Sequence, residues 1–189
     1  ICIIVGKRII NECRLDMTRI AIVGATGLTG VELVKLLKNH SKIGEIDLFS
    51  FNNAGKQIKY FSEELNGCND LLLDYKKINF NDYDLIFFAC PNGTAMDVYK
   101  EIQKSKAKLI DLAADFRLDN EKDWEQYYGL KHKAPDSLTS TVYGLTEINR
   151  AKIKTAKVVA NPGCYPTAAI ISLYPLLEKE LISENSIII

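Results

Sequence analysis

Asn161-Pro162-Gly163-Cys164-Tyr165-Pro166-Thr167 sets a cysteine between a strand-like run, Val158-Val159-Ala160, and an apolar run of helical length. The start of a helix collects unsatisfied N–H groups and the positive end of the helix dipole, and both lower a cysteine's pKa from about 8.5 toward neutrality. Cys164 is therefore the candidate nucleophile. Toward the other end, Gly24-Ala25-Thr26-Gly27-Leu28-Thr29-Gly30 follows one strand-like run and opens a helix. A GxxGxxG turn in that context lets backbone N–H groups approach a dinucleotide pyrophosphate. Gly24, Thr26, Gly27, Leu28, Thr29 and Gly30 are the candidate cofactor contacts. A covalent nucleophile together with a hydride carrier points to redox chemistry at an acyl or aldehyde carbon.

Cofactor choice is read about 20 residues beyond such a turn, where an acid would bind the ribose 2′-hydroxyl of NAD. Here the tip reads Phe49-Ser50-Phe51-Asn52-Asn53-Ala54-Gly55-Lys56, with Ser50 where the acid would stand. Asp47 lies within the strand and need not face the ligand. Ser50, Asn52 and Lys56 can donate to a 2′-phosphate, so the expected cofactor is NADP, although the same residues also suit an ordinary turn. Cys90, Pro91 and Asn92 follow another strand-like run, at the carboxyl end where ligands contact such sheets.

These residues need a scaffold, and the periodicity supplies one. Arg19–Val23, Glu45–Phe49, Asp84–Ala89, Lys108–Leu112 and Val158–Ala160 read as short apolar strands. Gly30–Lys38 and Thr94–Ser105 read as helices between them. Continuous apolar strands alternating with amphipathic helices imply an α/β fold: a Rossmann-type, doubly wound, mostly parallel sheet buried on both faces. Asp119–Thr141, rich in charge and containing Gly129 and Pro135, is the expected irregular excursion, with a short helix around Glu121–Tyr127. The expected organisation is a leader at 1–16 outside the fold, a nucleotide-binding domain at 17–160, and at 161–189 the start of an α+β catalytic domain. Met17 stands just before the first strand, and Ser186–Ile189 reads as a strand cut in mid-course.

Composition narrows the partners. The chain has 189 residues, 47% apolar and 25% charged, as in ordinary globular proteins. Lys plus Arg and Asp plus Glu each number 24, which leaves no basic footprint for nucleic acid and no polybasic patch for a membrane. Ile1–Val5 is far shorter than the roughly 20 residues of a membrane span. Five cysteines at irregular spacing, without a CxxC pair, argue against a disulfide framework or a zinc site and favour a reducing cytoplasm. Cys68 reads as a loop residue and Cys90 as a small residue at a strand end.

Gly24–Leu33, Ile110-Asp111-Leu112-Ala113-Ala114-Asp115-Phe116-Arg117-Leu118, Val142-Tyr143-Gly144-Leu145-Thr146-Glu147-Ile148-Asn149-Arg150 and Asn161–Thr167 occur in the order of one family. The chain resembles the N-acetyl-γ-glutamyl-phosphate reductases. That resemblance implies an enzyme of arginine biosynthesis that reduces an acyl phosphate to N-acetyl-glutamate 5-semialdehyde with NADPH, through a thioester on Cys164. It also implies that Arg117 binds substrate, with Asn161 and Asn92 beside it, and that the full-length enzyme is a homo-oligomer. Two positions depart from the family pattern. Asn92 stands where histidine is frequent, so no acid–base role can be read there. Thr146 replaces the proline of Tyr-Gly-Leu-Pro-Glu, a change expected to affect stiffness more than chemistry.

The family's catalytic histidine should handle the proton on the thiohemiacetal oxygen. Neither of the two histidines, His40 and His132, matches its motif. The resemblance places that residue well beyond the cysteine, past Ile189, and implies a fragment without turnover of its own. Three alternatives stay open: a lysine-biosynthetic aminoadipyl-phosphate reductase, whose motifs overlap heavily; an aspartate-semialdehyde dehydrogenase, from which Gly163-Cys164-Tyr165 departs; and a catalytically silent NADP-binding module with Cys164 as a redox sensor. Tyr127-Tyr128-Gly129-Leu130-Lys131 has the letters of a helical Tyr-x-x-x-Lys pair, but Gly129 and Pro135 argue against a helix there.

Overall fold

A computed structural model describes residues 18–188. The leader expected at 1–16 lies outside the described residues. Strand β1 (Thr18–Val23), inside the sheet, leads through the glycine turn into α1 (Leu28–Lys38), and β2 (Ile43–Ser50) returns beside it. After an irregular lobe, β3 (Leu73–Asp74) adds an edge, and β4 (Leu85–Phe88) pairs with the opposite side of β1. The chain then runs through α2 (Thr94–Asp97), α3 (Tyr99–Lys104), β5 (Lys108–Asp111) and α4 (Glu121–Tyr128). It finishes with β6 (Val142–Tyr143), α5 (Thr146–Thr155), β7 (Val158–Ala160) and α6 (Cys164–Glu178).

The strand order is β3-β2-β1-β4-β5-β7-β6, and every pairing is parallel. Strands β1, β2 and β3 step outward in one direction and β4, β5 and β7 in the other. The reversal between β1 and β4 creates a crevice at the carboxyl ends, the usual ligand position in open parallel sheets. Alternating side chains seal both faces of β1. Ile20 and Ile22 pack with Val31, Val34 and Leu48, whereas Ala21 and Val23 pack with Met96, Tyr99 and Ile102. This double burial accounts for the continuous apolar strand runs.

Helix α4 is specified locally. Asn120 Oδ1 accepts from the N–H groups of Lys122 at 2.9 Å and Asp123 at 3.2 Å, and Glu121 and Asp123 put negative charge at the first turn. Gly129 ends the helix at φ 67, its N–H donating to Glu125 O at 2.9 Å, so the Tyr127–Lys131 pair does not lie along one helix. Trp124 at its centre is fully buried and donates from Nε1 to Ala114 O at 2.7 Å, fastening the excursion to the loop after β5.

Two expectations are corrected. Thr94–Ser105 is not one helix: Val98, at φ −105 and ψ 5, separates α2 from α3. Ser186 lies in a 3-10 turn, Glu184–Ser186, whose Ser183 side chain caps Asn185, and Ile187 and Ile188 pair with no strand among the described residues, which end at Ile188. A short apolar run satisfies the strand pattern, but a strand also needs a neighbour to take its N–H and C=O groups. His132, within the charge-rich excursion between Lys131 and Lys133, is itself 2% exposed and packs edge-on against Trp124.

Candidate active site

In a parallel sheet all carboxyl ends share one edge, so this topology brings the glycine turn after β1, the β2 tip, the Cys90 segment after β4, the loop after β5 and the Cys164 turn after β7 to the same side. Strands β1 and β7 are three positions apart, about 14 Å at the usual spacing.

Two glycines of the turn are required by the protein itself. Gly24 has φ +83, and a Cβ there would meet Ala89 O at 2.3 Å. A Cβ on Gly30 would meet Gly24 O at 2.2 Å. Gly27 differs: a Cβ there would find only Gly24 O, at 3.5 Å. Nothing in the fold demands a glycine at 27, and that residue is exposed, as are Leu28 and Thr29. The first bond of α1 runs from Val31 N–H to Gly27 O at 2.9 Å, so the N–H groups of Leu28, Thr29 and Gly30 have no partner within the helix. No acid stands in the first turn. A small exposed residue at a helix start with free amides is what a pyrophosphate requires, and these residues fit a dinucleotide.

At the β2 tip, Asn52 is exposed, whereas Ser50 is buried and paired in register with Asp74 of β3. The side chain of Lys56 donates to Asn53 Oδ1 at 2.9 Å. Asp47 is engaged elsewhere: its Oδ2 accepts from Arg19 and from the Tyr83 hydroxyl, both at 2.9 Å. Asp74, which reading the β2 segment alone could not find, caps the turn Tyr75–Lys77 through Lys76 N–H at 3.0 Å. Between Phe51, Tyr75, Asn92, Gly93, Met96 and Lys131 opens a cleft of about 660 Å³.

Cys164 is exposed at the first position of α6. The helix's first bond runs from Thr167 N–H to Gly163 O at 3.0 Å, and Pro166 has no N–H. The amides of Cys164 and Tyr165 are thus the two donors left open beside the sulfur. Arg117 lies behind this turn: its Nε donates to Asn161 O at 2.8 Å and its Nη2 to Leu112 O at 2.9 Å. A Cβ on Gly163 would come within 3.1 Å of Arg117 Nη1, so glycine at 163 makes room for the guanidinium. Arg117 and its neighbours Asp119, Ser140, Tyr143 and Lys152 also line a cleft of about 500 Å³.

Beneath the edge lie two buried carboxylates. Asp111 accepts from Ala113 N–H at 3.1 Å and Asp115 N–H at 3.2 Å; burial, then the charge of Asp115, pushes its pKa up to about 7. Asp115 accepts from Gly93 N–H at 2.7 Å and Met96 N–H at 3.0 Å. Asn92 Oδ1 accepts from Ala114 N–H at 3.0 Å. Cys90 is half-buried, its thiol donating to Val23 O at 3.4 Å, and burial pushes it up to about 12, which makes it a poor nucleophile. His132 Nδ1 accepts from Ala134 N–H at 3.1 Å, so Nε2 is the donor to Asp115 O at 2.7 Å. His40 is exposed after α1 and accepts from Lys42 N–H through Nδ1 at 3.3 Å. Among the described residues no group of acidic, histidine or cysteine side chains is arranged to hold a metal.

Residues 19–156 match the family model "Semialdehyde dehydrogenase, NAD binding domain". The chain belongs to this family. Solved semialdehyde dehydrogenases share its fold: aspartate semialdehyde dehydrogenase II of Vibrio cholerae superposes with a TM-score of 0.64 at 17% identity, over 86% of this chain and 47% of that one. The enzyme of Candida albicans, solved with NADP, gives 0.59 at 16% identity, again over 86% of this chain and 47% of that one. In sequence this semialdehyde dehydrogenase domain is similar to N-acetyl-γ-glutamyl-phosphate reductases, as its motifs indicate. It is 47% identical to that of Acinetobacter baylyi over 176 residues, covering 92% of this chain and 50% of the relative. With that of Nitrosomonas eutropha it shares 42% over 173 residues, 91% of this chain and 51% of the relative. The chain spans about half the length of these reductases.

Proposed function

We propose that this semialdehyde dehydrogenase domain belongs to an NADPH-dependent N-acetyl-γ-glutamyl-phosphate reductase that acts through a thioester on Cys164. The observation that carries the reading is the exposed Cys164 at the start of α6, on the sheet edge that also bears the glycine turn. The Cys164 thiolate attacks the carbonyl carbon of the acyl phosphate, a carbon–sulfur bond forms, the bond between that carbon and the bridging oxygen breaks, and inorganic phosphate leaves with the bonding pair. The open N–H groups of Cys164 and Tyr165 are placed to donate to the oxyanion of the tetrahedral intermediate, an effect of about 3 kcal/mol per donor in known cases. Arg117 keeps one face of its guanidinium, at Nη1, for an anionic group of the substrate. NADPH, when bound, would supply the hydride that takes a thioester to the aldehyde level. Gly27 and the amides of residues 28–30 would hold its pyrophosphate, Asn52 and Lys56 would favour its 2′-phosphate, and Cys90-Pro91-Asn92 would line its site. The proton on the thiohemiacetal oxygen is left to a histidine outside this chain, so the chain alone gives no sustained turnover. The reading includes a cytoplasmic homo-oligomer; no helix among the described residues is long and apolar enough to cross a membrane.

The test separates acylation from reduction. Incubated with N-acetyl-γ-glutamyl phosphate, the chain should release up to one equivalent of phosphate and carry the acyl group on Cys164 by peptide mass mapping. Cys164→Ser should do neither. Phosphate release without a Cys164 adduct would sink the reading, and acylation by an aminoadipyl phosphate in preference would move it to the lysine-type substrate.

A further inference from the structure

Helix α2 begins at Thr94 after Gly93, which has φ +96 and no side chain with which to cap the helix. The missing cap comes from another loop. Asp115, 0% exposed, accepts from Gly93 N–H through Oδ1 at 2.7 Å and from Met96 N–H, the third helical position, through Oδ2 at 3.0 Å. An N-cap side chain would ordinarily take the latter bond. The link is reciprocal, since Asn92 Oδ1 accepts from Ala114 N–H at 3.0 Å. Asp115 is itself held from behind, its carbonyl by His132 Nε2 at 2.7 Å and its N–H by Asp111 at 3.2 Å.

The segment so clamped touches the nucleotide side at both ends. Its start, Ala89 and Cys90, lies directly against Gly24 of the glycine turn. Its continuation, Asn92-Gly93-Thr94, walls the cleft that Phe51 and Tyr75 bound at the β2 tip. We infer that Asp115 is a positioning residue for nucleotide binding: it caps the Asn92–Met96 turn from the β5 loop and so sets the wall against which the dinucleotide lies. This rests on the reading above that the chain binds NADPH. Asp115 has no contact with substrate in this role and acts only through the turn.

The experiment measures NADPH affinity by fluorescence titration of the chain, alongside amide hydrogen exchange of Gly93 and Met96. Asp115→Asn, which exchanges a carboxylate for a single neutral acceptor, should raise the Kd about tenfold, speed exchange at those two amides, and leave exchange in β1 and β4 unchanged. Should that variant fail to fold, Asp115→Glu, which keeps the charge but displaces both acceptor oxygens from Gly93 and Met96, should raise the Kd about threefold and speed exchange at those two amides in a native fold. A wild-type chain that binds no NADPH would sink the nucleotide reading itself. A wild type that binds, with variants of unchanged Kd and unchanged exchange at Gly93 and Met96, would overturn the role of Asp115 alone.

Discussion

Arg117 Nε donates to the carbonyl of Asn161 at 2.8 Å, across 44 residues of sequence. With Nη2 on Leu112 O at 2.9 Å, the guanidinium ties the loop after β5 to the segment that leads into Cys164. Neither Asp115 nor Asp119 pairs with it, since both of these bonds go to main-chain carbonyls.

Arg117→Met should therefore do two things. Loss of two charge-assisted bonds to backbone should destabilise the chain by about 2 kcal/mol in urea denaturation. It should also slow Cys164 acylation by the acyl phosphate while NADPH affinity stays within about twofold. Arg117→Lys should recover little of either, because one ammonium cannot span both carbonyls in the guanidinium's planar geometry.

The three glycines of the β1–α1 turn should separate in thermal melts. Gly30→Ala and Gly24→Ala put a methyl against backbone at 2.2 and 2.3 Å and should each cost about 2 kcal/mol or more. Gly27→Ala should shift stability by less than about 1 kcal/mol yet weaken NADPH binding, since the space its methyl enters is open in the protein and is required only by the ligand. Equal effects of all three on stability would contradict this division.

Alkylation should distinguish the cysteines. At pH 8 iodoacetamide should modify Cys164, exposed at the α6 start, and spare Cys90, whose thiol is half-buried, bonded to Val23 O and pushed up to about 12. Mass mapping of the two peptides reads this directly, and early loss of unmodified Cys90 would count against it.

Asp111 makes stability depend on pH. Its pKa is raised in the folded chain to about 7 by burial and the neighbouring Asp115, against 3.8 for the free carboxyl. The folded state thus retains a proton that the unfolded chain has already released. The stabilising contribution is complete below about pH 4 and declines until pH passes about 7. At about 1.4 kcal/mol per unit of separation the loss is a few kcal/mol at most. Urea melts of the wild type between pH 5 and pH 8 should show the decline, and Asp111→Asn, which cannot titrate, should flatten it.

Helix α6 carries no buried residue, and Ile171 and Leu176 are 43% and 38% exposed. Replacing both with Gln should move the melting temperature of this chain by only about 2–3 °C. A larger fall would mean that α6 contributes to the core formed by the sheet and its other helices.

Short-range chemistry was legible before the fold was known. The glycine turn, the apolar runs of β1, β4, β5 and β7, the short helix from Glu121 and the cysteine at a helix start all follow from residues within a few positions of one another. The two-residue strands β3 and β6 were not, because neither carries a pattern of its own and each exists only through the neighbour it pairs with. The break at Val98 escaped for the opposite reason: its apolar side chain continues the helical period that its backbone abandons. In the candidate site, Cys164 at one helix start and the glycine turn at another were legible in the sequence. Tertiary structure alone decided that Asp115 caps α2 across 22 residues, that Arg117 braces Asn161, and that His132 is buried behind Asp115. The physical reason is that each buried polar group must find a partner, and here the partners are supplied by loops that meet only when the parallel sheet brings its carboxyl ends to one edge.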